Sequence, residues 1–358
     1  MSKNSKIIWG AVAIIVIVLV VWNVQNKSTG PKEVIKIGVV VPLTGGASGY
    51  GEPLVKGLEL AMQDLGDTKY DYKLVIEDDG TNPATSASAA QKLVNIDKVR
   101  AIITTTSGTG NAVKPIATAA GVPHTCICVD STLTKDNRTN FIYLALPEIE
   151  SRAWVDEAAT VGMKKVALIA QNHPGFNLIV NVIKPIFAEK SISVVFEERY
   201  DPSTKDFKTV LAKARASNPD GYFIGGFPPS LEALGREIRT LDLEGVAGFG
   251  TFALAADLSI FEGNWFTDVR LADSAFQTRF EQAFPKIRFN ARTAPEAYDV
   301  FNILVDAFES GQNVSEYMRA MTSYAGKSGN VTKEADSGNF SVPVGIWTIK
   351  DGKAVQVK

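Results

Sequence analysis

From Val34 onward, short apolar runs alternate with segments of helical period, and this alternation constrains the fold of the 358-residue chain more than any other feature. Residues 34–41 (VIKIGVVV) have the continuous apolar character of a strand buried on both faces. Leu54, Leu58, Ala61, Met62 and Leu65 then fall on one face of a helix. Residues 72–77 (YKLVIE) read as the next strand, and Asn82-Pro83 supplies an N-cap and a first-turn proline for a helix over 84–96. A third strand at 100–105 (RAIITT) leads to a helix at 112–120 that Gly121 ends. Strands at 123–128 and 141–145 complete the set.

A second set begins near Arg152. It comprises a strand at 164–170 (KKVALIA), a helix at 179–189, and a strand at 191–197. Phe207, Val210, Leu211 and Ala214 then form an i, i+3, i+4, i+7 stripe. Strands at 220–226 (DGYFIGG) and 246–251 flank a helix at 231–241. Strands alternating with helices predict an α/β fold of parallel sheets flanked by helices, and two such sets predict two similar lobes. Ligands of open parallel sheets bind beyond the carboxyl ends of the strands, so facing lobes place a site in the cleft between them.

Composition supports ordinary globular lobes and excludes some partners. With 45% hydrophobic and 21% charged residues the chain has material for two buried cores. A formal net charge of −2 and the lack of any Lys/Arg run argue against nucleic-acid binding, which calls for a clustered basic face. The N-terminus differs from the rest. Lys3 and Lys6 precede an uncharged apolar stretch over 7–22, which at about 1.5 Å per residue covers most of a bilayer's hydrocarbon core. A cleaved signal peptide calls for a shorter apolar core and a small-residue cleavage site, and Asn23-Val24-Gln25-Asn26-Lys27 provides none. The expectation is therefore a signal-anchor helix within 1–22, a polar linker over 23–33, and a body outside the cytoplasm, in keeping with the two leading lysines.

The two cysteines, Cys126 and Cys128, are spaced so that on a strand they point to one face, a poor arrangement for a disulfide. They read as small buried hydrophobes. With His124 and His173 the only histidines, the sequence offers no metal-ligand cluster.

The stretch IKIGVVVPLTGGASGY (35–50), continued by Gly51, resembles the opening of leucine/isoleucine/valine-binding periplasmic proteins, which pair a first strand with Pro-Leu-Thr-Gly and Tyr-Gly. Further segments match in order: LVIEDDGTNPATSASAAQKLV (74–94), VRAIITTTSG (99–108), DGYFIGGF (220–227), EAYDVFNIL (296–304) and YAGKSGNVTKEADSGN (324–339). The resemblance implies the type I periplasmic-binding fold, with lobe 1 at 34–148 plus 270–338 and lobe 2 at 149–269 plus 339–358. It also implies an ABC transporter substrate-binding protein, held at the cytoplasmic membrane, that captures a small amino-acid-like ligand by hinge closure. Its partners would be the ligand and the permease subunits, with no cofactor and no metal.

Site residues follow from strand ends and from the resemblance. Thr106-Ser107-Gly108-Thr109 lies between a strand and a helix, where free backbone N–H groups and the helix dipole favour a carboxylate. Ser107 adds a hydroxyl, Gly108 permits close approach, and the family resemblance makes Ser107 a ligand residue. Tyr50 matches a pocket tyrosine, and Phe227 an aromatic that covers an apolar ligand side chain, with Phe176 in a similar part. Two departures stand out. The family's Ser-Ala-Thr, which holds carboxylate and ammonium, aligns with Cys128-Val129-Asp130 or, with a shift, Asp130-Ser131-Thr132, and the family's lobe-2 acid falls near Thr251. Either Asp130 has taken over the charge that faces the ammonium, or the ligand is not a standard α-amino acid.

Other functions fit the sequence less well. A sensing ectodomain needs a separate signalling partner, because about six residues precede the apolar stretch. An enzyme would be expected to carry a recognisable nucleophile elbow, P-loop or zincin motif, and none is present. Asp78-Asp79 reads as a solvated turn rather than a catalytic pair.

Overall fold

The computed structural model describes residues 31–135, 137–271, 274–333 and 335–358. The expected anchor at 7–22 and most of the linker lie outside the described residues. Among the described residues, no helix is long and apolar enough to cross a membrane.

The chain first lays down β1 (Val34–Val41), α1 (Ser48–Gln63), β2 (Asp71–Asp78), α2 (Pro83–Lys92), β3 (Ala101–Thr105), α3 (Ser107–Ala120), β4 (His124–Ile127) and β5 (Asn140–Tyr143). It crosses to build α4 (Pro147–Thr160), β6 (Lys165–Gln171), α5 (Pro174–Glu189), β7 (Ser193–Tyr200), α6 (Lys208–Ala216), β8 (Gly221–Gly225), α7 (Ser230–Thr240), β9 (Val246–Phe249) and β10 (Trp265–Val269). It then returns through α8 (Ala275–Ala283), α9 (Ala294–Glu309), α10 (Val314–Ala320), β11 (Ser323–Gly326), β12 (Gly329–Lys333) and β13 (Asn339–Ser341). The last strands, β14 (Val344–Lys350) and β15 (Lys353–Gln356), belong to the second sheet.

Two lobes result, one around the sheet β11-β12-β13-β5-β4-β3-β1-β2 and one around β15-β14-β10-β9-β8-β6-β7. The strands laid down by alternation pair in parallel, as expected. The sheets as wholes are mixed, which corrects the expectation of purely parallel sheets. β11, β12 and β13 are antiparallel neighbours, as are β10, β14 and β15, because short turns rather than crossover helices join most of these strands. Sheet membership changes after Tyr143, after Val269 and after Ser341, since β13 pairs with β5 of the first sheet.

Local chemistry accounts for the helix limits. The Asn82 side chain accepts from the Ala84 and Thr85 amides with Pro83 in the first turn, and Gly121 ends α3 in the left-handed region at φ 65°. The striped face of α1 packs inward: Leu54, Leu58 and Ala61 have no exposed surface, and burying each leucine is worth about 1.5–3 kcal/mol. α9 covers the same core with Val300, Phe301 and Leu304.

Two smaller expectations are corrected. Cys126 and Cys128 are joined as a disulfide across a Cα–Cα distance of 5.3 Å, shorter than the roughly 6.6 Å of two extended residues. β4 stops at Ile127, so the pair straddles a strand end rather than a flat pleat. Asp79 is buried rather than solvated, and its carboxylate accepts from Ser86 Oγ at 2.8 Å, the Thr81 amide at 2.9 Å and the Thr109 hydroxyl. Its neighbour Asp78 does lie at the exposed turn.

Candidate functional site

The carboxyl ends of both sheets meet around a cavity of about 60 Å³. β3 delivers Thr105, Thr106 and Ser107 to it, and Cys128 and Val129 enter just past β4. From the other lobe come His173, Gly175 and Phe176 after β6, Phe227 after β8, Phe249 at the end of β9, and Thr251. Arg292 and Thr293, just before α9, close the floor.

Thr106 is held at φ 64° and ψ 143°, a region nearly reserved for glycine that costs on the order of 1–3 kcal/mol. The distortion is fastened from below: Thr106 Oγ1 accepts from the Thr109 amide, and the Thr109 hydroxyl donates to buried Asp79. The result aims the first turn of α3 into the cavity. Facing it is the start of α5, whose N-cap is His173. The imidazole Nδ1 accepts from the Gly175 amide at 3.2 Å, which leaves the ring proton on Nε2. Burial pushes the His173 pKa down to about 4, so the ring is a neutral donor near pH 7. A Cβ added to Gly108 would lie 3.6 Å from that Nε2, and one on Gly175 would lie 3.3 Å from Ser107 Oγ. Two helix N-termini from different lobes thus confront each other at this end of the cleft.

Aromatic rings form the wall. Phe227 meets Phe176 edge-on at 5.3 Å between centroids, His173 at 5.1 Å, and Tyr50 of the first lobe at 5.9 Å. The floor is ionic. Arg292 Nε donates to Asp268 Oδ1 at 3.1 Å, Nη1 donates to Glu150 Oε2 at 3.2 Å, and Nη2 pairs with Glu150 Oε1. All three residues are buried. Burial raises the Asp268 pKa to about 6 against the pull of Arg292, whereas the two carboxylates outweigh burial and hold Arg292 protonated. The cluster ties residues beside two chain crossings: Glu150 follows the first, while Asp268 precedes the second and Arg292 follows it.

Of the residues singled out from sequence, Tyr50, Ser107, Cys128, Phe176, Phe227 and Thr251 line the cavity. Gly108 does not line it, but packs one step behind, against His173. Asp130 is the clear correction. Its Oδ1 accepts from the Thr132 amide at 3.0 Å and the Thr132 hydroxyl at 2.6 Å, and its Oδ2 accepts from Asn111 Nδ2 at 2.9 Å. The aspartate caps its own turn and does not face the cavity. His173, Arg292 and Thr293 were not anticipated. His173-Pro174 carries the signature of a helix start, which is a signal for position but not for ligand contact.

Comparison with known proteins points in one direction. The family described as "Periplasmic binding protein" matches residues 34–354. The Leu/Ile/Val-binding protein BraC3 of Rhizobium johnstonii is 24% identical over 287 residues, covering 76% of this chain and 74% of that protein. A leucine-binding protein, LivK, of Thermotoga maritima superposes with a TM-score of 0.82 at 22% identity, over 90% of this chain and 98% of that one. An ABC-transporter solute-binding protein of R. palustris in complex with 4-hydroxybenzoate superposes at 0.79 with 20% identity, over 91% and 96% respectively.

Proposed function

Because the chain belongs to the periplasmic binding protein family, we propose that it works outside the cytoplasm, tethered through residues 7–22, as the solute-binding partner of an ABC transporter. Its two lobes close around a small carboxylate and present it to the permease. The observation that carries this reading is the confrontation of the α3 and α5 N-termini, with Ser107 from one lobe and His173 from the other lining one cavity. A carboxylate there receives backbone and side-chain donors from both lobes at once, and the binding energy is available only when the lobes meet. Relatives named for leucine, isoleucine and valine, and a structural neighbour holding 4-hydroxybenzoate, are both carboxylate binders by name and support the class.

The test is a thermal-shift screen of small carboxylates followed by small-angle scattering on each hit. A ligand at a hundredfold excess over its dissociation constant should stabilise the protein by about 2.7 kcal/mol and reduce its radius of gyration. Stabilisation without compaction would refute closure, and the absence of any carboxylate hit would refute the site.

A further inference from the structure

We propose that the ligand is a carboxylate without an ammonium group, and that a neutral hydrogen-bonding group at its far end is received by Thr251 and Thr293. The proposal rests on the reading of Ser107 and His173 as the carboxylate end.

An ammonium enclosed in a closed cleft needs a counter-charge, since an unpaired buried ion is strongly disfavoured. Among the described residues, the cavity lining contains no aspartate or glutamate. Asp130, the one acid that the sequence offered for that part, spends its carboxylate on Thr132 and Asn111. Glu150 and Asp268 lie nearby, but their carboxylates bond to Arg292, and of the three residues Arg292 is the one that lines the cavity. An ammonium would therefore meet a cation first. A second carboxylate is equally misplaced, because the two acids outnumber the one arginine.

What the far end does offer is a pair of unused hydroxyls. Thr251 is 4% exposed and Thr293 1%, both line the cavity, and neither Oγ1 has a hydrogen-bond partner among the described residues. They come from different lobes and flank the same ion pair. Thr293 follows Arg292 in sequence, and the Gly250 backbone packs so closely on this pair that an added Cβ would lie 2.8 Å from Arg292 Nε, which sets Thr251 beside it. Buried hydroxyls left unpaired are costly, so a ligand group that pairs them is favoured. A hydroxyl both donates and accepts, which suits a neutral hydroxyl, carbonyl or amide group. Between the two ends, Tyr50, Phe176, Phe227 and Phe249 enclose a flat apolar body.

Calorimetric titration of the full-length protein with 4-hydroxybenzoate, benzoate and L-leucine tests this. The expected order is 4-hydroxybenzoate, then benzoate at least about fivefold weaker, then leucine at least about a hundredfold weaker. Thr251→Val and Thr293→Val should each reduce the preference for 4-hydroxybenzoate over benzoate to within about threefold. Leucine binding more tightly than both benzoates would overturn the proposal and leave the solute-binding reading intact. Equal affinity for the two benzoates in the wild type would remove the hydroxyl pair from recognition. Failure of all three to bind would overturn the carboxylate site itself, and the proposal with it.

Discussion

Replacing His173 by asparagine separates two jobs that one imidazole performs. Nδ1 caps α5 through the Gly175 amide, and Nε2–H looks across the cleft at the start of α3. Asparagine is among the best N-cap residues, so the helix start survives, whereas its Nδ2 donors, on a shorter side chain, fall short of the Nε2 position. A hydrogen bond to a charged group is worth about 1.5–3 kcal/mol, which at about 1.4 kcal/mol per decade is roughly a ten- to hundredfold loss of carboxylate affinity. His173→Ala should lose the same affinity and about 1 kcal/mol of stability besides, because its cap is gone. The proton balance gives a second readout. Burial holds the free imidazole near pKa 4, and a carboxylate seated against it favours the protonated ring. The pKa is therefore higher in the complex than in the free protein. Binding takes up protons between the two values, and affinity rises as pH falls from the complex's pKa toward 4. Calorimetry in buffers of different ionisation enthalpy measures that uptake, and urea melts measure the cap. If the asparagine variant binds within about threefold of wild type, His173 does not hold the ligand and the two-lobe capture argument fails.

Two further outcomes follow from buried groups. Asp130→Asn should cost about 1 kcal/mol of stability by disturbing the bonds to Thr132 and Asn111, while ligand affinity stays within about twofold; a larger change in titration would return the side chain to the site. His124, buried between Thr104 and Asn140, has its pKa lowered to about 4 by burial, so the unfolded chain binds more protons between pH 6.5 and 4, and stability falls as pH drops through that window. The advantage of wild type over His124→Gln should shrink by roughly 3 kcal/mol from pH 7 to pH 4, and a pH-independent difference in urea melts would contradict a neutral, buried ring.

The parallel strands and their helices were legible because continuous apolar runs and 3.6-residue stripes are local signals, as in 34–41 and at Leu54, Leu58 and Ala61. β11 to β15 gave no such signal. Most are strands of three to five residues joined by short turns, and β13 finds its partner in β5 almost 200 residues earlier. The end of a parallel strand suggested Ser107, while Phe227 and Thr251 were reached through the resemblance to the family. The fate of Asp130 was not legible, since Asn111, a side chain 19 residues away on another element, helps decide it. The Arg292 cluster was equally hidden: its partner Glu150 lies 142 residues away, and neither residue sits in a periodic pattern.

The placement of that cluster has a consequence for how proteins of this build diversify. Arg292, Glu150 and Asp268 sit beside two of the places where the chain passes between lobes, whereas Phe227 and Ser107 follow strands within a lobe. Were the lobes to turn about those crossings, displacement would grow with distance from them, and the ionic cluster would keep its bonds while the rest of the cleft travelled. Side chains elsewhere in the cleft could then be exchanged over generations, altering the cargo, without retuning the pivot. Mutations at the cluster carry the opposite burden. They would alter the resting angle for every cargo at once, and lineages that share this hinge should differ in their pockets long before they differ at these three positions.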